Sequence, residues 1–134
     1  MLDMGDGGGR RSRNVLGEEL QPCSLNPVTG FFRDGCCHTD ATDLGRHVIC
    51  CRVTDAFLKF SAEQGNDLST PVPDFSFPGL QDGDQWCLCA ARWIQAWRVG
   101  AAPKVVLAAT HESALELIPL NILQQFALDA SGGR

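Results

Sequence analysis

The chain has 134 residues, 44% hydrophobic and 20% charged, a composition that suits one globular domain whose core needs no disulfides to fold. Its net charge is −5, and three of its basic residues, Arg10, Arg11 and Arg13, stand in a glycine-bearing leader, so the rest repels phosphate backbones and no nucleic acid is expected as a partner. Apolar runs such as Val105-Val106-Leu107-Ala108-Ala109 are far shorter than the ~20 residues of a membrane span, and residues 1–14 lack a secretion signal's apolar stretch, which predicts a soluble, cytoplasmic protein with no membrane partner.

In chain order, residues 1–13 read as a disordered leader, residues 14–129 as a single domain and residues 130–134 as a flexible tail. Residues 22–42 carry turn chemistry and little periodicity, with Asn26-Pro27, Thr29-Gly30 and Asp34-Gly35 in succession. His47-Val48-Ile49-Cys50-Cys51-Arg52-Val53 is short, β-branched and apolar on both faces, as an inner strand is. Thr54 or Asp55 then caps a helix over residues 55–64, with Phe57, Phe60 and Ser61 on one face and Gly65 as its stop. Residues 66–83 contain prolines at 71, 73 and 78 that keep their neighbours extended, and irregular segments of this length are often functional.

The run from Gly83 to Trp97 gathers all three tryptophans, each able to bury on the order of 200 Å². It predicts a helix over residues 90–99, with Asp84 as its N-cap and Gly100 as its end. Residues 104–109 form a second buried strand, Thr110 caps a helix over 111–117, and Pro119 opens a last helix over 120–128. Strands and helices alternating after a loop-rich N-terminal third predict an α+β fold, two layers with helices packed on a short sheet of three to five strands.

Six motifs in order carry a resemblance. They are Pro22-Cys23, Gly30-Phe31-Phe32-Arg33-Asp34-Gly35-Cys36-Cys37, Gly65-Asn66-Asp67-Leu68-Ser69-Thr70-Pro71, Phe77-Pro78-Gly79-Leu80, the run from Gly83 to Trp93, and Ala109-Thr110-His111-Glu112. Together they resemble a family of small, mainly bacterial proteins that is known as a domain of unknown function. The resemblance covers residues 14–129 and implies no particular activity, so no catalytic residue carries over from it. Family members usually have one cysteine where this chain has Cys50-Cys51, which leaves the extra thiol outside any shared site.

Seven cysteines, an odd number without a secretion signal, predict thiols that are mostly free and buried as small hydrophobes. No cofactor follows from the pattern. A zinc ion, if present, would draw its ligands from Cys23, Cys36, Cys37, Cys87, Cys89 and His111, but adjacent pairs and one C-x-C replace the usual C-x2-C knuckles. A reactive thiol would be Cys37, Cys87 or Cys89, the last two near a helix N-terminus with Arg92 a turn away, although the Asp84 cap would offset that field.

Outside the cysteines, Arg33 and Asp34 suit an anion clamp and a general base, or simply an Asp-Gly turn. Asn66, Asp67, Ser69 and Thr70 either satisfy their own backbone or line a pocket mouth. Arg92 and Trp93 complete the expected ligand contacts, and His111, at the start of a helix after a strand, is a further base or metal ligand. Two function classes follow: a module that binds a small molecule or protein through polar loops, or a small thiol-dependent redox or zinc enzyme.

Overall fold

The computed structural model describes residues 12–129, so the expected tail and all but the last two residues of the leader lie outside it. Among those residues, three antiparallel strands, β1 (His47–Arg52), β2 (Gln85–Cys89) and β3 (Lys104–Val105), form one sheet in the order β2-β1-β3. Three helices, α1 (Asp55–Glu63), α2 (Ala90–Arg98) and α3 (Leu120–Gln125), complete an α+β fold, with α2 packed against α1, β1 and β2. Residues 12–46 form no helix and only isolated bridges, as their turn chemistry predicts. Among the described residues no helix is long and apolar enough to cross a membrane.

The capping arguments hold for α1, where Thr54 Oγ1 accepts from the Phe57 amide at 3.1 Å and Gly65 follows the end at φ +90°. They fail for α2. Asp84 accepts instead from the Gln81 amide at 2.9 Å in the turn before β2, and residues 85–89 are a strand rather than a lead into the helix. Trp86, Cys87 and Leu88 are all buried, on both faces of the strand, so no period-2 polar signal marks it. Trp93 of α2 is wholly buried, its Nε1 donating to Pro103 O at 3.0 Å and its ring meeting Phe126 edge-on at 5.3 Å.

The second half is less regular than its apolar pattern suggests. β3 stops after two residues because the Asp129 carboxylate accepts from the Leu107 and Ala108 amides at 2.7 and 2.9 Å, turning the chain into a 3-10 turn at Leu107–Ala109. Residues 111–117 hold a 3-10 turn, Glu112–Glu116, in place of an α-helix. Its cap is His111, whose Nδ1 accepts from the Ser113 amide at 3.0 Å, while the Thr110 hydroxyl accepts from the Cys50 amide and donates to Val106 O. α3 ends at Gln125, short of 128, because the Val105 and Leu128 amides bond to Phe126 O and Val105 O, so that residues 126–128 run along β3.

Four cysteines, expected to be free, are paired as Cys23–Cys50 and Cys37–Cys87. Cys36, Cys51 and Cys89 remain free. Counting cysteines and inferring a compartment gave no information on which sulfurs the fold brings together. Cys50 and Cys87 face each other across β1 and β2, and the loop-borne Cys37 and Cys23 cover them, making a small core separate from the main one.

Candidate functional site

The segments 34–37 and 86–89 meet, joined by the Cys37–Cys87 bond. The loop between them and the sheet is drawn tight by its own backbone. Gly35 O accepts from the Cys23 and Ser24 amides, and the buried Thr29 hydroxyl accepts from the Cys87 amide at 2.8 Å. Gly30, at φ +101°, has the Cys36 carbonyl against the place a Cβ would take, so only glycine fits where the loop doubles back.

This folding leaves a cleft of ≈ 520 Å³ between the loop, the strand ends and the first turn of α2. Phe31, Leu68, Trp86 and Leu88 supply apolar wall, and Arg33, Arg92, His47 and Asn66 supply polar groups. Among the described residues no aspartate or glutamate lines it. The Arg33 guanidinium lies 5.6 Å from the centre of the Trp86 ring and, among the described residues, has no carboxylate or hydrogen-bond acceptor of its own. Arg33 also holds φ +57°, a left-handed conformation uncommon for a side-chain-bearing residue. Arg92 spends one nitrogen, Nη1, on Gln64 O at 3.1 Å and Gln95 Oε1 at 3.3 Å, and among the described residues no carboxylate pairs with it.

Cys89 borders the cleft as the half-buried residue that joins β2 to α2, and it pairs across the sheet with His47. The buried Asp43 holds His47 through both carboxylate oxygens, Oδ1 to Nδ1 at 2.7 Å and Oδ2 to the His47 amide at 2.9 Å. The His47 ring stacks on Phe31 at 6.2 Å. Cys87 also borders the cleft, through the disulfide rather than as a thiol.

Other expected site residues lie elsewhere. Trp93 is in the main core and is not among the residues that line this cleft. The Asp67 carboxylate accepts from the Ser69 and Thr70 amides and from the Thr70 hydroxyl, hydrogen bonds that hold its pKa below the usual carboxylate range, so these exposed residues form a self-contained turn. Asp34 Oδ1 accepts from the Cys36 amide, and its other oxygen stands 3.7 Å from His38 Nε2. Burial and the Asp34 carboxylate push the Cys36 thiol up, and full burial pushes the Cys51 thiol up further, so neither gains thiolate character. Burial holds the His111 imidazole below its ordinary value despite Glu112 and Glu116, consistent with a neutral cap.

Among the described residues two groups of side chains could hold a metal ion. In one, the sulfurs of Cys23, Cys37 and Cys87 lie within 4.8 Å of one another; in the other, so do ligand atoms of Asp34, Cys36 and His38. His111 belongs to neither, and Cys89 stands apart from both.

The sequence reading missed His47, Asp43 and Cys50. The His47–Asp43 spacing of four residues was a usable signal, but Cys50 could be identified only once β1 was paired with β2. No curated protein matches the chain in sequence. Residues 13–127 match the family model described as "Uncharacterized protein conserved in bacteria (DUF2237)", and the chain belongs to that family.

Proposed function

We propose that the protein is a binding module for a small organic anion with an aromatic or apolar body. The observation that carries this reading is a cleft holding two guanidiniums without a carboxylate partner, in a chain with 16 acidic and 11 basic side chains. Arginine matches carboxylate and phosphate groups bidentately, and Trp86, Phe31 and Leu88 offer flat and aliphatic wall for the rest of such a ligand. Titration of the full chain with phenyl phosphate, benzoate and phenethylamine, followed by amide NMR shifts, tests it. The two anions shift residues 30–33 and 86–92, the amine does not, and Arg33→Ala and Arg92→Ala each weaken binding about tenfold or more, as loss of a charge-assisted hydrogen bond does. Equal binding of the amine, or anion binding untouched by both substitutions, rejects the reading.

A second reading, thiol chemistry at Cys89, is favoured by one observation. The free Cys89 lies across the strand pair from a histidine that a buried carboxylate orients, which supplies the parts of a nucleophile, base and orienting group without a thiol–imidazole hydrogen bond between the first two. In the cytoplasmic setting expected from the sequence, the neighbouring disulfides would be redox-active rather than structural. If Cys89 is such a nucleophile, iodoacetamide alkylates it faster than the other free thiols, and His47→Gln slows that rate near neutral pH. An unchanged rate leaves only the binding role.

A further inference from the structure

Cys23, Cys37, Cys50 and Cys87 reach one place from four separate segments of the chain, and all four are buried, between 0% and 5% exposed. Cys50 and Cys87 are directly opposite in the antiparallel ladder, which puts their side chains on one face of the sheet. Cys23 and Cys37 come down from the loop onto that face. The sulfurs of Cys23, Cys37 and Cys87 are mutually within 4.8 Å, and the Cys50 sulfur is bonded to that of Cys23.

We propose that in the reduced protein these four cysteines bind a single zinc ion in place of the two disulfides. A tetrahedral zinc–thiolate centre has Zn–S distances of about 2.3 Å and hence sulfurs about 3.8 Å apart. Three of the four sulfurs are already gathered near this scale, and the fourth, that of Cys50, is bonded to one of them, so side-chain rotation is the movement that brings all four onto one centre. The surroundings suit a centre with excess negative charge. The Gln85 amide group, held by Cys23 O at 2.7 Å, also donates to the Cys50 sulfur at 3.9 Å, the kind of outer N–H contact that steadies a metal-bound thiolate. With ligands at 23, 37, 50 and 87, the site is built by tertiary structure, which is why no knuckle spacing announces it.

The interconversion balances. Two molecules of a dithiol reductant deliver four electrons and four protons, each leaving as its own disulfide, and the protein gains four thiols. Zinc then displaces those four protons to solvent and takes the sulfurs as thiolates. The same face of the sheet is therefore fastened to the N-terminal loop in either state, by two covalent bonds when oxidised and by the metal when reduced. The inference is independent of the anion-binding reading, since Arg33 and Arg92 take no part.

The experiment uses the full chain, reduced with dithiothreitol, desalted anaerobically and titrated with Co²⁺. One equivalent of Co²⁺ produces the thiolate charge-transfer and ligand-field bands of a tetrahedral four-sulfur site, and Zn²⁺ bleaches them. With zinc bound, alkylation followed by mass mapping modifies Cys36 and Cys89 while Cys23, Cys37, Cys50 and Cys87 are protected. Cys50→Ser abolishes the four-sulfur spectrum, whereas Cys36→Ser and His38→Ala, which disable the neighbouring group, leave it intact. The proposal is overturned if folded, reduced wild-type protein gives no thiolate–cobalt bands, if the bands survive Cys50→Ser, or if Cys36→Ser removes them. Should Cys50→Ser fail to fold, the wild-type alkylation map decides: zinc-dependent protection of Cys23, Cys37, Cys50 and Cys87, apart from Cys51, which burial shields with or without metal, supports the proposal, and loss of that protection at any of the four overturns it.

Discussion

Arg33 illustrates how one residue can serve a turn and a cleft together. It occupies the left-handed region at φ +57° between Gly30 and Gly35, and its guanidinium projects over Trp86 rather than toward an acidic neighbour. His111 is the opposite case, a residue whose polar atoms are consumed by structure. Its Nδ1 caps a 3-10 turn, and burial keeps its imidazole neutral. Because the folded pKa lies below the unfolded value of about 6.5, the unfolded chain takes up this proton first as pH falls. Its contribution to stability is therefore complete above that value and is lost as pH drops toward the folded pKa. His111→Asn keeps a cap acceptor without the titration, so denaturant midpoints of this variant fall less between pH 7 and pH 5 than those of wild type. Equal acid sensitivity of the two proteins would refute this assignment.

At the level of elements, α2 links the two halves of the fold through one side chain. Trp93 is wholly buried, hydrogen-bonded to Pro103 O ahead of β3 and packed edge-on against Phe126 beyond α3. Trp97, one turn on, is 39% exposed, so only one of the helix's tryptophans anchors the core. Trp93→Ala should cost about 3–5 kcal/mol in urea unfolding, and Trp93→Phe less, since it keeps the ring contact and loses the hydrogen bond and part of the volume. A Trp97→Ala substitution that destabilised as strongly would contradict this division. The helix and strand patterns around these residues were legible for α1 and for most of α2, where caps, glycines and apolar spacing agree. They were not legible for β2, buried on both faces, or for β3, which Asp129 cuts short from 22 residues away.

In the whole molecule, the largest covalent constraint joins regions that share little regular structure. The Cys23–Cys50 and Cys37–Cys87 bonds span 27 and 50 residues and tie the irregular N-terminal third to the sheet. By loop-closure entropy each is worth about 3–4 kcal/mol, less whatever structure the reduced unfolded chain retains. Reduction in the presence of a chelator should therefore lower the urea midpoint markedly and raise the exchange rates of amides in residues 23–37 more than those of α1. An unchanged midpoint would mean that hydrogen bonds such as Cys87 N to the Thr29 hydroxyl hold the loop unaided.

The amino-acid sequence alone determined the α+β class, the helix that starts at residue 55 and its cap at Thr54 or Asp55, the central strand and the loop-rich beginning, because each rests on local propensity or on the period of a single segment. It also pointed to Arg33, Asn66, Arg92, Cys87 and Cys89, which the fold gathers around one cleft. It could not separate the bonded cysteines from the free ones, nor put His47 opposite Cys89 or Cys50 opposite Cys87. Those pairings depend on the register of two strands more than thirty residues apart, a property of the assembled sheet that no local spacing encodes. Only tertiary structure decided that four sulfurs from four segments share one face of that sheet.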